Sequence, residues 1–260
     1  MIRVLMIAYY FPPAGGAGVQ RTQKFVQHLP AEDILPIVLT GPTSPENHWT
    51  PQDLSLLASI PRNVAVHRVS TEPPHDSGKL RSRFERWLLR PSPFSKWWIR
   101  SATELGLGLA QDVDLIYATM SPFQSAEIAT ELSARTGVPW VADLRDPWAL
   151  DEMQVYLTRL HRLIDLRKMK DLLSSAALII MNTPEATSVL KKALPEIHPD
   201  RILTITNGFD EATLQGQCTR EQTESSESFT QDTCILRLDW NSSVGASTAG
   251  WEGLSMASRS

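Results

Sequence analysis

"IRVLMIAYYFPPAGGAGVQRTQKF", residues Ile2–Phe25, is the stretch that decides the fold. Its first seven residues, Ile2–Ala8, form an aliphatic run broken only by Arg3. Such a run suits a strand of a parallel sheet, which is covered on both faces and so does not alternate apolar and polar. Three glycines, Gly15, Gly16 and Gly18, then replace the apolar run, and a helix is expected from about Val19. A strand, a glycine-rich turn and a helix open an α/β domain of the nucleotide-binding kind.

Working outward, short apolar strands are expected at Pro36–Thr40, Val64–Val69, Asp114–Thr119, Trp140–Leu144, Ala177–Asn182 and Ile202–Asn207, with helical patterns between them. The clearest helix is Pro122–Thr136, with proline in its first turn and Gly137 just past its end. This alternation predicts an α/β fold, a Rossmann-like doubly wound parallel sheet, over residues 1–210. From Cys218 to Ser260 the chain is rich in Ser, Thr, Glu and Gly, has no Lys or Pro, and keeps no strand or helix period. Residues 211–260 are therefore expected to be a polar, disordered tail, either native or the product of a frameshift or truncation.

Composition narrows the classes. The 42% hydrophobic content is that of a globular chain, and a net charge of −4 gives no overall basic field to recruit nucleic acid. No run reaches the roughly 18 apolar residues that span a bilayer, and the first residues enter a strand rather than a leader, so a cytoplasmic location is expected. The two cysteines, Cys218 and Cys234, have no metal-ligand spacing and suggest no disulfide framework. No His/Asp/Glu cluster has a recognisable ligand spacing either, so no metal is expected.

The loop itself is not a dinucleotide fingerprint, because Arg21 stands at the third glycine position and the second strand ends in Thr40 rather than an acid. No Gly-Lys-Ser/Thr follows, which removes a P-loop. What remains is a backbone able to approach an anion closely at a helix N-terminus, with Arg21 and Lys24 nearby, or else a tight turn without a ligand. A second group, Asp143, Arg145 and Asp146, stands at the carboxyl end of Trp140–Leu144, where open α/β sheets bind ligands. It reads either as chemistry or as an Arg-carboxylate clamp stiffening the loop, with Asp143 and Arg145 pointing the same way if extended geometry persists. Ser121 ends the preceding strand beside a helix start. A third stretch, Lys79–Ser101, interleaves Arg81, Arg83, Arg86, Arg90, Lys96 and Arg100 with Phe84, Trp87, Phe94, Trp97 and Trp98, and suits either an anionic membrane surface or ordinary core contacts.

Four motifs, "YYFPPAGGAGVQR", "DLIYATMSP", "GVPWVADLRDPW" and "ITNGFD", fall in the order and spacing of a bacterial subgroup of family 4 glycosyltransferases. From about Ile2 to Asp210 the chain resembles the N-terminal, acceptor-side domain of such an enzyme, one half of a GT-B fold. The resemblance implies hexosyl transfer from a nucleotide-sugar to a cell-envelope polysaccharide or lipid-linked acceptor, with the nucleotide-sugar as co-substrate and no other cofactor. It implies a donor-diphosphate contact at Gly15, Gly16, Gly18 and Arg21. Asp143, Arg145 and Asp146 would serve acceptor positioning or base catalysis, Ser121 and Trp148 would bind acceptor, and Asn207 and Gly208 would form an interdomain hinge. Many members place a histidine where this chain has Arg145, so that histidine's role does not carry over. Family members continue into a second Rossmann-like domain, and nothing in Cys218–Ser260 resembles one. The chain is thus expected to be inactive alone unless a separate chain supplies the donor domain, and peripheral contact with the inner face of an anionic membrane is expected. The competing readings are a non-catalytic carbohydrate- or lipid-binding module, half of a split enzyme, and, behind these, a nucleotide-sugar epimerase.

Overall fold

The computed structural model describes residues 1–43, 52–71, 73, 74, 87 and 91–208. The expected tail at 211–260 and most of Lys79–Arg90 lie outside the described residues.

Seven strands form one all-parallel sheet: β1 (Ile2–Ala8), β2 (Ile34–Thr40), β3 (Ala65–Arg68), β4 (Leu115–Met120), β5 (Trp140–Leu144), β6 (Leu178–Met181) and β7 (Ile202–Thr204). Their order across the sheet is β3-β2-β1-β4-β5-β6-β7, so the direction of winding reverses between β1 and β4. Five α-helices are described: α1 (Ala17–His28), α2 (Pro93–Leu109), α3 (Ser125–Thr136), α4 (Arg159–Ser174) and α5 (Pro184–Ala193). This is the Rossmann-like doubly wound architecture expected from the alternating pattern. The central strands are buried along nearly their whole length, which accounts for their unbroken apolar runs.

Period-two alternation divides the strand residues between the two faces. Leu5, Ile7, Leu39, Ile116, Ala118, Trp140, Ala142 and Leu144 join one core cluster with Trp98 of α2, Ile128 and Leu132 of α3, and Met169 and Leu173 of α4. The alternate positions, among them Met6, Tyr117, Val141 and Asp143, are buried as well. Phe25 of α1 meets Tyr117 edge-on at 5.9 Å, which places α1 on this second face.

Some boundaries differ from the sequence pattern at the ends of the elements. The third helix starts at Ser125, after a turn in which the Ser125 amide donates to the Pro122 carbonyl; it ends at Gly137, whose φ of +76° provides the left-handed cap expected there. The last strand stops at Thr204 rather than running to Asn207. In the basic and aromatic stretch, the described aromatics turn mostly inward. Trp98 is fully buried, Phe94 and Trp97 pack against the core, and Trp97 donates its indole N–H to Thr71. Lys96, Arg100 and Trp87 remain exposed.

Two glycines of α2 separate helix propensity from packing. At Gly106 an added Cβ would come within 2.7 Å of Cδ1 of the fully buried Leu132, so that packed side chain must shift. At Gly108 the same atom meets nothing. Gly108→Ala is expected to stabilise the chain by about 0.5–1 kcal/mol. Gly106→Ala is expected to destabilise it by about 1–2 kcal/mol despite the same gain in propensity. Urea unfolding of the two variants beside the parent measures both.

Candidate functional site

In an open α/β sheet the loops flanking the reversal of winding leave a crevice at the carboxyl ends of the strands. Here those loops are Tyr9–Gly16 after β1 and Ser121–Gln124 after β4, and the turn after β5 adjoins them.

The β1 loop is held from several sides. Arg68 at the end of β3 donates to the Pro12 and Gly41 carbonyls, and the Asp53 amide donates to the Pro13 carbonyl at 2.8 Å. Tyr9 is packed edge-on by Tyr10, Phe94 and Trp98 at ring separations of 4.8, 5.2 and 4.9 Å. Gly41 is required beneath it, since a Cβ there would lie 2.8 Å from the Tyr9 ring. A small cavity opens at this end of the sheet between Tyr9, Tyr10, Pro13, Ala14, Pro42 and Gln52.

Of the glycines, Gly16 is the N-cap of α1 at φ +94°, ψ 170°, a conformation that favours glycine. The first turn of α1 has no side-chain cap and no acidic residue, so its backbone N–H groups and positive dipole end remain suited to an anion. Gly15 is buried and Gly18 half-buried. Arg145 donates from Nη1 to the Gly18 carbonyl, fastening the turn after β5 to the first turn of α1.

Arg21 and Asp143 form the most buried polar pair of the site. Asp143 is 0% exposed and Arg21 9%. Arg21 donates from Nε to Asp143 Oδ2 at 2.9 Å and from Nη2 to Oδ1 at 3.0 Å, a two-pronged bond that only a guanidinium can make. Its Nη1 donates to the Thr206 carbonyl at 3.2 Å and to Asn207 Oδ1 at 3.1 Å, and its carbon stands 5.1 Å from the Phe25 ring centre. Tyr117 donates its hydroxyl to Asp143 Oδ2 at 2.5 Å. Burial pulls the Arg21 guanidinium down, but its bonds to the Asp143 carboxylate outweigh that and raise it above its ordinary value. Burial and the same carboxylate push the Tyr117 phenol well above its ordinary value, so it stays a donor.

The expected site residues therefore divide. Arg21 lies beside the loop, but its donors face Asp143, Thr206 and Asn207, an internal arrangement rather than the outward one expected for a diphosphate contact. Asp143 lies beneath α1, fully covered, with its carboxylate bonded to Arg21 and Tyr117. Asp143 and Arg145 do face the same element, α1, while Asp146 is exposed at the carboxyl end of β5. Ser121 is half-buried at the end of β4. Trp148 is buried and stacked on Phe123 at 4.7 Å with an interplanar angle of 3°; its φ of +51° marks a backbone held in the left-handed region. Asn207 and Gly208 are exposed, and the side-chain oxygen of Asn207 is bonded to Arg21. The hydroxyls of Thr119 and Ser125, buried near the same crevice, have no hydrogen-bond partner among the described residues. Among those residues no group of three or more His, Cys, Asp or Glu is placed to hold a metal, and no helix is long and apolar enough to cross a membrane.

Tyr117 and Arg68 were not singled out in the sequence. The signal for the buried pair was present: an aspartate inside "WVADL", a strand otherwise apolar on both faces, must meet a counter-charge.

No family model matches the chain, and no curated protein matches it. Among solved structures, HepE of Anabaena in complex with UDP and glucose is similar with a TM-score of 0.50 at 18% identity, over 86% of this chain and 50% of that one. The sucrose-phosphate synthase of Thermosynechococcus elongatus is similar with a TM-score of 0.54 at 13% identity, over 84% of this chain and 53% of that one. The chain thus spans about half the length of both structures. At these identities the likeness is one of fold, and the described unit shares a Rossmann-like fold with about half of each of those chains.

Removing one member of the buried pair leaves the other charged and covered. Asp143→Ala is expected to cost about 3–5 kcal/mol of folding stability. Combining Arg21→Met with Asp143→Leu should recover most of that loss, because neither charge is then buried. Guanidinium unfolding of the single and double variants tests both values; a single-variant loss below about 1 kcal/mol would contradict the pairing.

Proposed function

We propose that the described unit is the acceptor-side half of a glycosyltransferase that moves a hexosyl group from a nucleotide-sugar to a polysaccharide or lipid-linked acceptor. The observation that carries this reading is an uncapped, acid-free start of α1 behind Gly16, at the reversal of winding in a fold similar to that of HepE, a protein solved with UDP and glucose. Cleaving a glycosyl-phosphate bond leaves a nucleotide whose growing negative charge requires donors already in place. Backbone N–H groups of the first turn of α1 are fixed by Gly16 and by the Arg145 contact to Gly18, and they would meet the donor diphosphate.

The charged residues around the site then take different roles. Arg21 and Asp143 are positioning residues that set the pitch of α1 and hence the direction of its first-turn amides. Arg145 holds the Gly18 carbonyl away from the diphosphate path. Asp146, the exposed carboxylate, is the candidate to orient an acceptor hydroxyl. Ser121 would border the acceptor, and Trp148, stacked under Phe123, would support the floor of its site. Turnover in this account also needs a donor-holding half beyond the described unit.

Saturation-transfer NMR of the full chain with UDP-glucose tests the reading. The expected result is weak binding in which glucose protons saturate more than uridine protons, since the base is held by the other half. Gly18→Asp is the decisive variant. An acid in the first turn suits the helix dipole, so melting should be unchanged or slightly raised, while its charge repels the diphosphate and abolishes the ligand signal. Absence of saturation in the parent chain, or a signal indifferent to Gly18→Asp, would contradict the proposal.

A further inference from the structure

Helix α4 carries its charges the wrong way round for its own dipole. Its first turn holds Arg159 and Arg162 and no acid, and its last turn holds Asp171 and no base. Carboxylates stabilise the start of a helix and cations its end, so this order weakens the isolated helix at both ends.

The same helix has apolar surface that the fold does not use. Its core-facing stripe is Leu166, Met169, Leu172 and Leu173. With 3.6 residues per turn, the opposite face reads Leu160, Leu163, Ile164, Arg167 and Asp171, all of them exposed. The preceding loop adds exposed Met153, Val155 and Leu157, and the Tyr156 hydroxyl holds that loop along α4 by donating to Asp165 at 2.6 Å. A single exposed aliphatic residue is ordinary, but six within residues 153–164 are not.

One arrangement meets both observations. The outward face of α4 has an apolar middle between charges of opposite sign, Arg159 at one end and Asp171 at the other. Laid antiparallel on its own copy, with the crossing near residue 165, the helix sets Arg159 of each chain against Asp171 of the other, so a two-fold axis makes the same pair twice. Leu160, Leu163, Ile164 and the stem of Arg167 then fill the seam, and each helix brings the negative end of its dipole beside the other's basic first turn. Lys168 and Lys170 turn away toward Glu127 and Glu196. Asp151 and Glu152 stand at the start of the loop, before its apolar residues, and not on the helix face. A surface of uniform charge would suit one end of this face and repel the other. We infer that the outward face of α4, with loop residues 153–157, is the interface between two copies of this chain. The assignment is independent of the glycosyl-transfer reading above. Arg162 donates from Nε to the Ala149 carbonyl at 3.2 Å, so a copy seated on α4 also braces the turn after β5.

Sedimentation velocity of the full chain from about 1 to 100 μM tests it. The parent is expected to pass from the chain mass to twice that mass within the range. Leu160→Asp with Leu163→Asp should raise the dissociation constant at least about tenfold. Arg159→Asp alone, or Asp171→Arg alone, sets like charges across the axis and should raise it roughly fivefold. Combining those two substitutions exchanges the charges and should return the constant to the parent value, a result specific to an antiparallel copy of the same helix. Each of the two suits the dipole of α4 better than the residue it replaces, so circular dichroism should match the parent and unfolding cannot account for a lost dimer. A parent that stays monomeric at the top of the range, including one that floats with phosphatidylglycerol vesicles instead, would overturn the assignment. So would a dimer indifferent to the aspartate pair, or one that the charge exchange leaves weakened. UDP-glucose saturation transfer should persist in the aspartate pair, so a failed interface and a failed donor site give different results.

Discussion

A carboxylate near the end of a strand that is covered on both faces requires a permanent counter-charge, and the Arg21 guanidinium supplies it. Asp143 sits on β5 among Val141, Leu144 and the neighbouring strand β4, where any other arrangement would leave a bare charge away from water. The constraint runs outward from there. Because Arg21 is in the second turn of α1, its two-pronged bond fixes how that helix lies on the sheet and therefore where the N–H groups behind Gly16 point. Its third contact, to Thr206 and Asn207, extends the same fixation to the chain leaving β7.

A buried ion pair is weak evidence for stability in itself, since an apolar pair of similar volume often does as well. Its value here is geometric. Tyr117 completes the carboxylate's acceptor demand, Phe25 carries the guanidinium on its face, and Arg145 ties Gly18 to the other end of the same turn. Four separate segments, α1, β4, the end of β5 and the residues after β7, are thereby held in one register at the crevice. Arg68 does the same for the β1 loop from the opposite side through the Pro12 carbonyl. Such fixed backbone donors are what stabilisation of a leaving diphosphate requires.

Much of the fold was legible in the sequence because parallel strands buried on both faces must be apolar throughout. The Ile2–Ala8 and Trp140–Leu144 strands coincide with their sequence reading, and the others differ by a few residues at their ends. Gly137 signalled its cap because a left-handed residue there is glycine for a steric reason. The site was only partly legible. Arg21 and Asp143 were both singled out, but as separate members of two motifs, since nothing local joins residues 122 positions apart. The basic and aromatic stretch around Trp97 and Trp98 left a membrane surface and core contacts both open, because helical spacing does not say which face turns inward; Trp98 turns fully into the core.

Amide hydrogen exchange of the Asp143→Asn variant against the parent chain tests the central claim most directly, because asparagine keeps the shape and removes the charge. If the pair sets the pitch of α1, exchange should rise at residues 17–22 and at residues 205–208 while the β1–β2 ladder stays protected. Unchanged exchange at both segments, or a uniform rise across the sheet, would contradict the claim that this one ion pair positions the crevice.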